Sequence, residues 1–278
     1  MDAKLNKINK IIAVCKKLVH HIDETGDAKT GDEFYEKYKK MIYSFCNEYD
    51  IKNNQSESVQ KSYCILNAYY WQKNYTVNIT EANTILNAVY DLKLSLFPNY
   101  CEKLFISHRE KDKEQVDAFI ELLYAIGIPR PLQNGESIIF CSSHPTAYIE
   151  NGQMIDEQIL QQFNCKQNVL FILWYTDNYF ESQACLNEMG AVWAMNKKYQ
   201  EILMPNFDRK KIGGLLPKEK ISFYANDKFR LNTLKKQIEE LFMLQPVDQN
   251  AWEIARDKYI ETINKLSTFQ DNSKMIGW

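Results

Sequence analysis

Long apolar runs are missing from this chain. No stretch approaches the roughly 20 apolar residues that a membrane-spanning helix needs, so a transmembrane protein is not expected. The opening segment MDAKLNKINKIIAV breaks its apolar residues with lysines and lacks a signal-peptide core, so secretion is not expected either. An excess of one charge is also missing: 34 Lys and Arg face 36 Asp and Glu, for a formal net charge of −2. With no long basic run, a general electrostatic attraction to nucleic acid or to an anionic membrane is excluded. Local pairs such as Lys235-Lys236 read as solvated helix faces. There is no C-x-x-C pair. The cysteines at 15, 46, 64, 101, 141, 165 and 185 are scattered and odd in number, which favours free thiols in a reducing cytosol over disulfides or a zinc site. Neither G-x-G-x-x-G nor Walker A occurs, which argues against a Rossmann dinucleotide domain and an NTPase. No His/Cys/Asp cluster has metal spacing. The expectation is a cytoplasmic protein with no metal and no resident cofactor, in which a sequon such as Asn78-Ile79-Thr80 carries no weight.

What is present divides into two textures. The 278 residues, 45% hydrophobic and 25% charged, are ordinary for a globular protein and suit one large domain or two modest ones. From residue 1 to about 98, helical periodicity alternates with polar breaks. Leu5, Ile8, Ile11, Ile12, Cys15, Leu18 and Val19 fall at i, i+3, i+4 spacing, and Phe34, Tyr38, Met41, Ile42 and Phe45 repeat it. Further helices are expected at about Ser58–Trp71 and Glu81–Leu96, with Gly26, Gly31, Asn53-Asn54 and residues 74–78 between. Pro98 closes the series. This reads as a four-helix bundle or a pair of hairpins. Its adjacent His20 and His21 point to different helix faces, which suits a surface pair better than a metal site.

From residue 101, short apolar runs alternate with amphipathic helices: KLFISH (103–108), a helix near 112–126, SIIFCSS (137–143), a helix near 153–163, NVLFILW (168–174), a helix with Glu188, EILMPN (201–206), ISFY (221–224) and a helix near 231–243. Strands this apolar are buried on both faces, and the alternation implies a parallel sheet between helical layers. The expected fold is a small doubly wound α/β domain over 101–243. A helical extension over 244–278, with Trp252, Ile254, Tyr259 and Ile263, would pack on the first bundle or on a partner.

In such sheets ligands bind beyond the carboxyl ends of the strands. Three loops meet there: Ser107 to Asp112, Ser142 to Gly152, and Thr176 to Ser182. They supply hydroxyls, an arginine and helix N-termini, a setting for a phosphate-bearing ligand. The segment SQACLNEMGAVWAM, residues 182–195, places a single acid, Glu188, among Cys185, Leu186, Met189, Val192 and Trp193, with Ser182 as the N-cap. No cation lies one turn away to pair with it. Such an acid either accepts backbone hydrogen bonds from the preceding loop or is put to chemical use.

The residues carry a family resemblance as well. FISHREKD (105–112) resembles the first signature box of TIR (Toll/interleukin-1 receptor) domains. IIFCSS with its long loop resembles their second strand and the loop after it, and SQACLNEMGAVW resembles the helix with the S-x-x-C-x-x-E pattern of NAD-cleaving members, most of all bacterial ones. The resemblance spans about 101–243 and implies a flavodoxin-like TIR domain with a five-stranded parallel sheet. By position it makes Glu188 the catalytic glutamate. It places Ser182 and Cys185 at the motif's other fixed points and Phe105, Ser107, His108 and Arg109 at the pocket edge. Ser143 and the loop to Gly152 fall on the loop that often touches a neighbouring subunit. Many members have tryptophan just before the cysteine. Ala184 stands there in this chain, so a pocket wall differs, or Trp193 substitutes for it.

The implied activity is that of an NAD glycohydrolase or cyclase, with NAD as substrate, assembled as a homo-oligomer through TIR contacts and the N-terminal helices. Bacterial anti-phage defence signalling, with a separate effector protein sensing the product, completes the picture. A single carboxylate suits this chemistry. Glycosidases need two because an alkoxide must be protonated as it leaves, whereas nicotinamide departs as a neutral amide from a cationic pyridinium. Capture of the ribosyl cation by water gives ADP-ribose; capture by an atom of the same molecule gives a cyclic isomer. A non-catalytic TIR scaffold is the alternative from another class. A phosphotransfer receiver is a third, disfavoured because Leu173-Trp174-Tyr175 offers no phosphoacceptor aspartate. The N-terminal helices either assemble the enzyme and sense a trigger or merely cover one side of the sheet.

Overall fold

The computed structural model describes residues 2–29, 32–71, 76–131, 137–141, 163–165, 168–212 and 222–276, with side chains to residue 268. The chain forms two compact units, Met1–Tyr100 and Cys101–Trp278.

The first unit is built from α1 (Ala3–Thr25), α2 (Glu33–Glu48), α3 (Glu57–Tyr70) and α4 (Ile79–Leu96). Asp2 and Asp32 cap α1 and α2 by accepting from first-turn amides. Asn78 and Glu81 form a reciprocal capping box, which starts α4 two residues ahead of the apolar periodicity. Helix α1 packs on both α2 and α4, and α3 on α4, so the arrangement is a bundle and not two separate hairpins. Leu5, Ile8, Ile11, Cys15 and Leu18 of α1 meet Tyr35, Tyr38, Ile42 and Phe45 of α2 and Ile85, Val89 and Leu92 of α4 in a buried core. An antiparallel bridge between Ala28 and Val77 ties the α1–α2 loop to the α3–α4 loop, as alternating up and down helices require. His20 is exposed beside Glu24, while His21 pairs with Asp32 at 2.8 Å.

The second unit is α/β. Its strands β1 (Lys103–Ser107), β2 (Ile139–Phe140), β3 (Val169–Tyr175), β4 (Lys198–Leu203) and β5 (Phe223–Tyr224) form one sheet in the order β2-β1-β3-β4-β5. Every pairing is parallel. This is the doubly wound order of a flavodoxin-like fold. All seven residues of the central β3 are buried, which is why the run VLFILWY is continuously apolar. Among the described residues the α-helices are α5 (Lys113–Ile126), α6 (Asp177–Phe180), α7 (Gln183–Ala194), α8 (Lys228–Leu241) and α9 (Gln249–Ile276). Gly127, at φ +113°, ends α5 in the left-handed conformation that glycine tolerates.

Several element boundaries differ from expectation, most of all that of β4. Strand β4 begins at Lys198, not 201, because its first residues are exposed or half-buried and escape an apolar reading. It ends at Leu203, before Pro205, whose missing N–H cannot serve the ladder. Helix α8 starts at Lys228 because Asp227 caps it, three residues ahead of the expected start. The helix expected near 153–163 lies outside the described residues apart from Phe163, which is buried against Phe105 and Phe171.

Helix α9 packs on α5 within the second unit. Trp252, Tyr259 and Ile263 join the sheet's core cluster, with the Tyr259 ring 6.2 Å from that of Phe119. Ile254, grouped with them in the sequence, is 72% exposed. Ile263→Ala is therefore expected to destabilise the second unit by about 2–5 kcal/mol in chemical denaturation. Ile254→Ala should stay within about 0.5 kcal/mol, and equal losses for the two would contradict this packing.

Candidate active site

In the order β2-β1-β3-β4-β5, the connections leaving β1 and β3 run to opposite sides of the sheet, and a crevice opens between the carboxyl ends of these two strands. Right-handed crossovers then put α5 and α7 on opposite faces. The residues at this crevice are held by buried polar contacts. Asp112, fully buried in the one-turn helix Glu110–Asp112, accepts from the Thr176 hydroxyl and the Asn178 amide, each at 2.6 Å. It thereby locks the loop after β1 onto the loop after β3. Thr176 also caps α6, accepting from the Tyr179 amide at 3.0 Å.

Tyr179 carries the second lock. Its fully buried hydroxyl lies 3.0 Å from Ser107 Oγ and donates to the Cys185 carbonyl at 3.1 Å. Burial, reinforced by the nearby Glu188 carboxylate, pushes this phenol well above its ordinary range, although the Ser107 bond pulls the other way. The hydroxyl is thus protonated at every physiological pH. Ser107, the last residue of β1, donates to Glu188 Oε2 at 2.5 Å. The Cys185 thiol reaches the His108 carbonyl at 3.5 Å, so α7 touches the β1 end at two points. His108 is buried beside Cys141, with Nδ1 3.3 Å from the Ile106 carbonyl, and desolvation holds its imidazole below the ordinary range.

Glu188 itself is half-buried, although its helix reads as apolar. The reason is that α7 buries only Cys185 and Val192, while Leu186 and Met189 are half-buried and Ala184 is exposed. A partner of Glu188 is a hydroxyl 81 residues away, that of Ser107. Ser182 is the N-cap and accepts from the Cys185 amide at a long 3.4 Å. Arg109 is exposed, and its charge is felt at the Cys185 thiol. Two of the pocket residues inferred from sequence lie elsewhere. Phe105 is core, stacked on Phe140 at 5.3 Å and tilted against Phe171, because its strand is buried on both faces. Trp193 is 41% exposed, five residues past Glu188; five residues is about 140° around a helix, so the two side chains leave from different faces. Ser143 and the loop to Gly152 lie outside the described residues.

Sequence reasoning passed over Tyr179, Asp112 and Thr176. The available signal was an aromatic with a polar tip in the short loop feeding the acid-bearing helix. In the first unit, a cleft of about 210 Å³ between α2 and α3 is lined by Tyr43, Tyr63, Tyr70 and Trp71 among others. None of its described lining residues is an acid, so it offers nothing comparable to Glu188. No group of residues with metal-binding character occurs among those described.

No family model matches the chain, and no solved structure matches it. It is similar to the Uncharacterized protein YddK of Bacillus subtilis (strain 168), with 34% identity over 158 residues, which cover 57% of this chain and 56% of that protein. The chain therefore spans little more than half the length of this relative.

Thiol reactivity gives a direct check on the site's packing. Burial pushes the Cys185 thiol up, the Cys101 thiol to about 11, and the Cys15 and Cys46 thiols to about 12, whereas Cys64 is exposed. In the native protein near neutral pH, iodoacetamide should modify Cys64 first and Cys185 at least about tenfold more slowly. Peptide mass mapping that finds Cys185 alkylated as fast as Cys64 would refute the packing of α7 on β1.

Proposed function

We propose that the second unit is a TIR-type NAD-cleaving domain in which Glu188 stabilises the ribosyl cation. The observation that carries this reading is a half-buried carboxylate, held by the buried Ser107 hydroxyl at 2.5 Å, at the crevice where an open parallel sheet binds its ligands. The order and spacing of FISHREKD, IIFCSS and SQACLNEMGAVW support it.

The chemistry follows from the charges. The bond between ribose C1′ and the pyridinium nitrogen breaks heterolytically, and its electron pair neutralises the ring, so nicotinamide leaves without an acid. Positive charge then develops on C1′ and the ring oxygen. Ser107 fixes the Glu188 carboxylate before the reaction begins, and the carboxylate's negative charge offsets that developing charge. Water adding to C1′ releases one proton and yields ADP-ribose; attack by an atom of the same molecule yields a cyclic isomer. Ser107, being 2% exposed, supports the acid and does not itself contact the sugar.

A second reading, a scaffold acting through assembly, draws on Trp193 and Met195, which are 41% and 44% exposed at the end of α7. The two readings separate in one experiment: purified protein is incubated with NAD and the products are resolved by chromatography. Nicotinamide release is expected, and Glu188→Gln should lower it on the order of 10²–10³-fold with the circular-dichroism spectrum unchanged. Undiminished turnover in that variant would remove Glu188 from the mechanism, and no release by the wild-type chain at any protein concentration would favour the scaffold.

A further inference from the structure

Between the Glu188 carboxylate and the backbone of α7 runs a chain of three links: Glu188 Oε2 to Ser107 Oγ at 2.5 Å, Ser107 Oγ to Tyr179 OH at 3.0 Å, and Tyr179 OH to the Cys185 carbonyl at 3.1 Å. With Glu188 ionised, only two hydroxyl hydrogens serve these three links. The Ser107 hydrogen goes to the carboxylate, since a charged acceptor makes the stronger bond. Ser107 must then accept from Tyr179, whose one hydrogen is shared between Ser107 Oγ and the Cys185 carbonyl. Two aligned hydroxyls therefore point toward the acid, each polarising the next.

We propose that Tyr179 is a positioning residue: through Ser107 it turns a hydroxyl hydrogen toward Glu188 and keeps that side chain ionised and fixed over the end of β1. This deepens the NAD-cleavage reading, although its physical content does not depend on NAD. The geometry makes the arrangement specific. The Tyr179 ring is fully buried between Tyr175 and Phe180, with centroids 5.2 and 5.7 Å away, so its hydroxyl cannot swing to another partner without repacking. The same hydroxyl holds the first turn of α7, so one group sets both the position of the helix that carries Glu188 and the direction of the bond that Glu188 receives.

The chain favours the anion over the acid. Protonated Glu188 would donate to Ser107 and reverse the chain, leaving three neutral bonds, whereas the carboxylate accepts a charge-assisted bond from Ser107, which is the stronger. Among the described residues, other charged or titratable groups acting on Tyr179 and Cys185 are Arg109 after β1, Asp112 in the one-turn helix and Glu201 of β4. All remain in place when either hydroxyl is removed, so a change in the Glu188 midpoint reports the hydroxyls.

The test uses the full chain, labelled with 13C at glutamate carboxyls, with the Glu188 resonance assigned by its loss in Glu188→Gln and followed against pH without NAD. Ser107→Ala should raise the midpoint by about 1 pH unit, and Tyr179→Phe, which keeps the ring, by about 0.5 unit. Nicotinamide release by Tyr179→Phe should fall about tenfold in kcat with KM within about twofold, because only the acid's setting has changed. A midpoint unmoved in Tyr179→Phe, even with lowered thermal stability, would make the phenol merely structural and overturn the proposal. Should Tyr179→Phe fail to fold, an unmoved midpoint in Ser107→Ala overturns it equally. If both midpoints rise while the wild-type chain releases no nicotinamide, the positioning role stands and the NAD reading falls.

Discussion

The arrangement of the second unit turns on one buried phenol. Tyr179 joins Ser107, 72 residues earlier, to the carbonyl of Cys185, six residues later. Without that link nothing described here would bind the first turn of α7 to the end of β1 except the longer contact from the Cys185 thiol to the His108 carbonyl. Buried hydroxyls are costly unless matched, and this one is matched twice, so its presence narrows the ways in which helix and strand can meet. Glu188 sits one turn beyond the anchored carbonyl. Its place over the strand end follows from helical geometry once Cys185 is fixed.

Much of the fold was legible because the periodicities are strong. Leu5 to Leu18 announce an amphipathic helix, and VLFILWY announces a strand buried on both faces, since neither face carries a polar residue. What escaped was decided by polar atoms. Asp227 and the Asn78–Glu81 pair move helix starts by two or three residues through hydrogen bonds that hydrophobic spacing does not register. The edge of β4 was hidden because a strand's outer residues are wetted and look like loop.

The candidate site was legible in its acid and less so in its support. Glu188 stands out as a lone charge in an apolar helix, and Ser107 as a polar ending to an apolar strand. That these two meet depends on contacts over 81 residues, which no local pattern encodes. Phe105 shows the opposite error. The family resemblance put it at the pocket edge, whereas the burial of β1 on both faces sets its ring in the aromatic core beside Phe140 and Phe171. Tyr179 went unrecognised because an aromatic in a short connecting loop reads as packing, and only the position of its hydroxyl distinguishes it.

The seating of α9 on α5 has a bearing on biosynthesis. The first unit closes entirely from residues 3 to 96, so every partner its helices need has been translated once that segment clears the ribosome. The second unit draws Trp252, Tyr259 and Ile263 into the same core as β1 and β3, more than 70 residues upstream. Its sheet must wait, incompletely covered, until the last helix emerges. In the interval between the two events, a nascent chain carries apolar strands without their last covering helix.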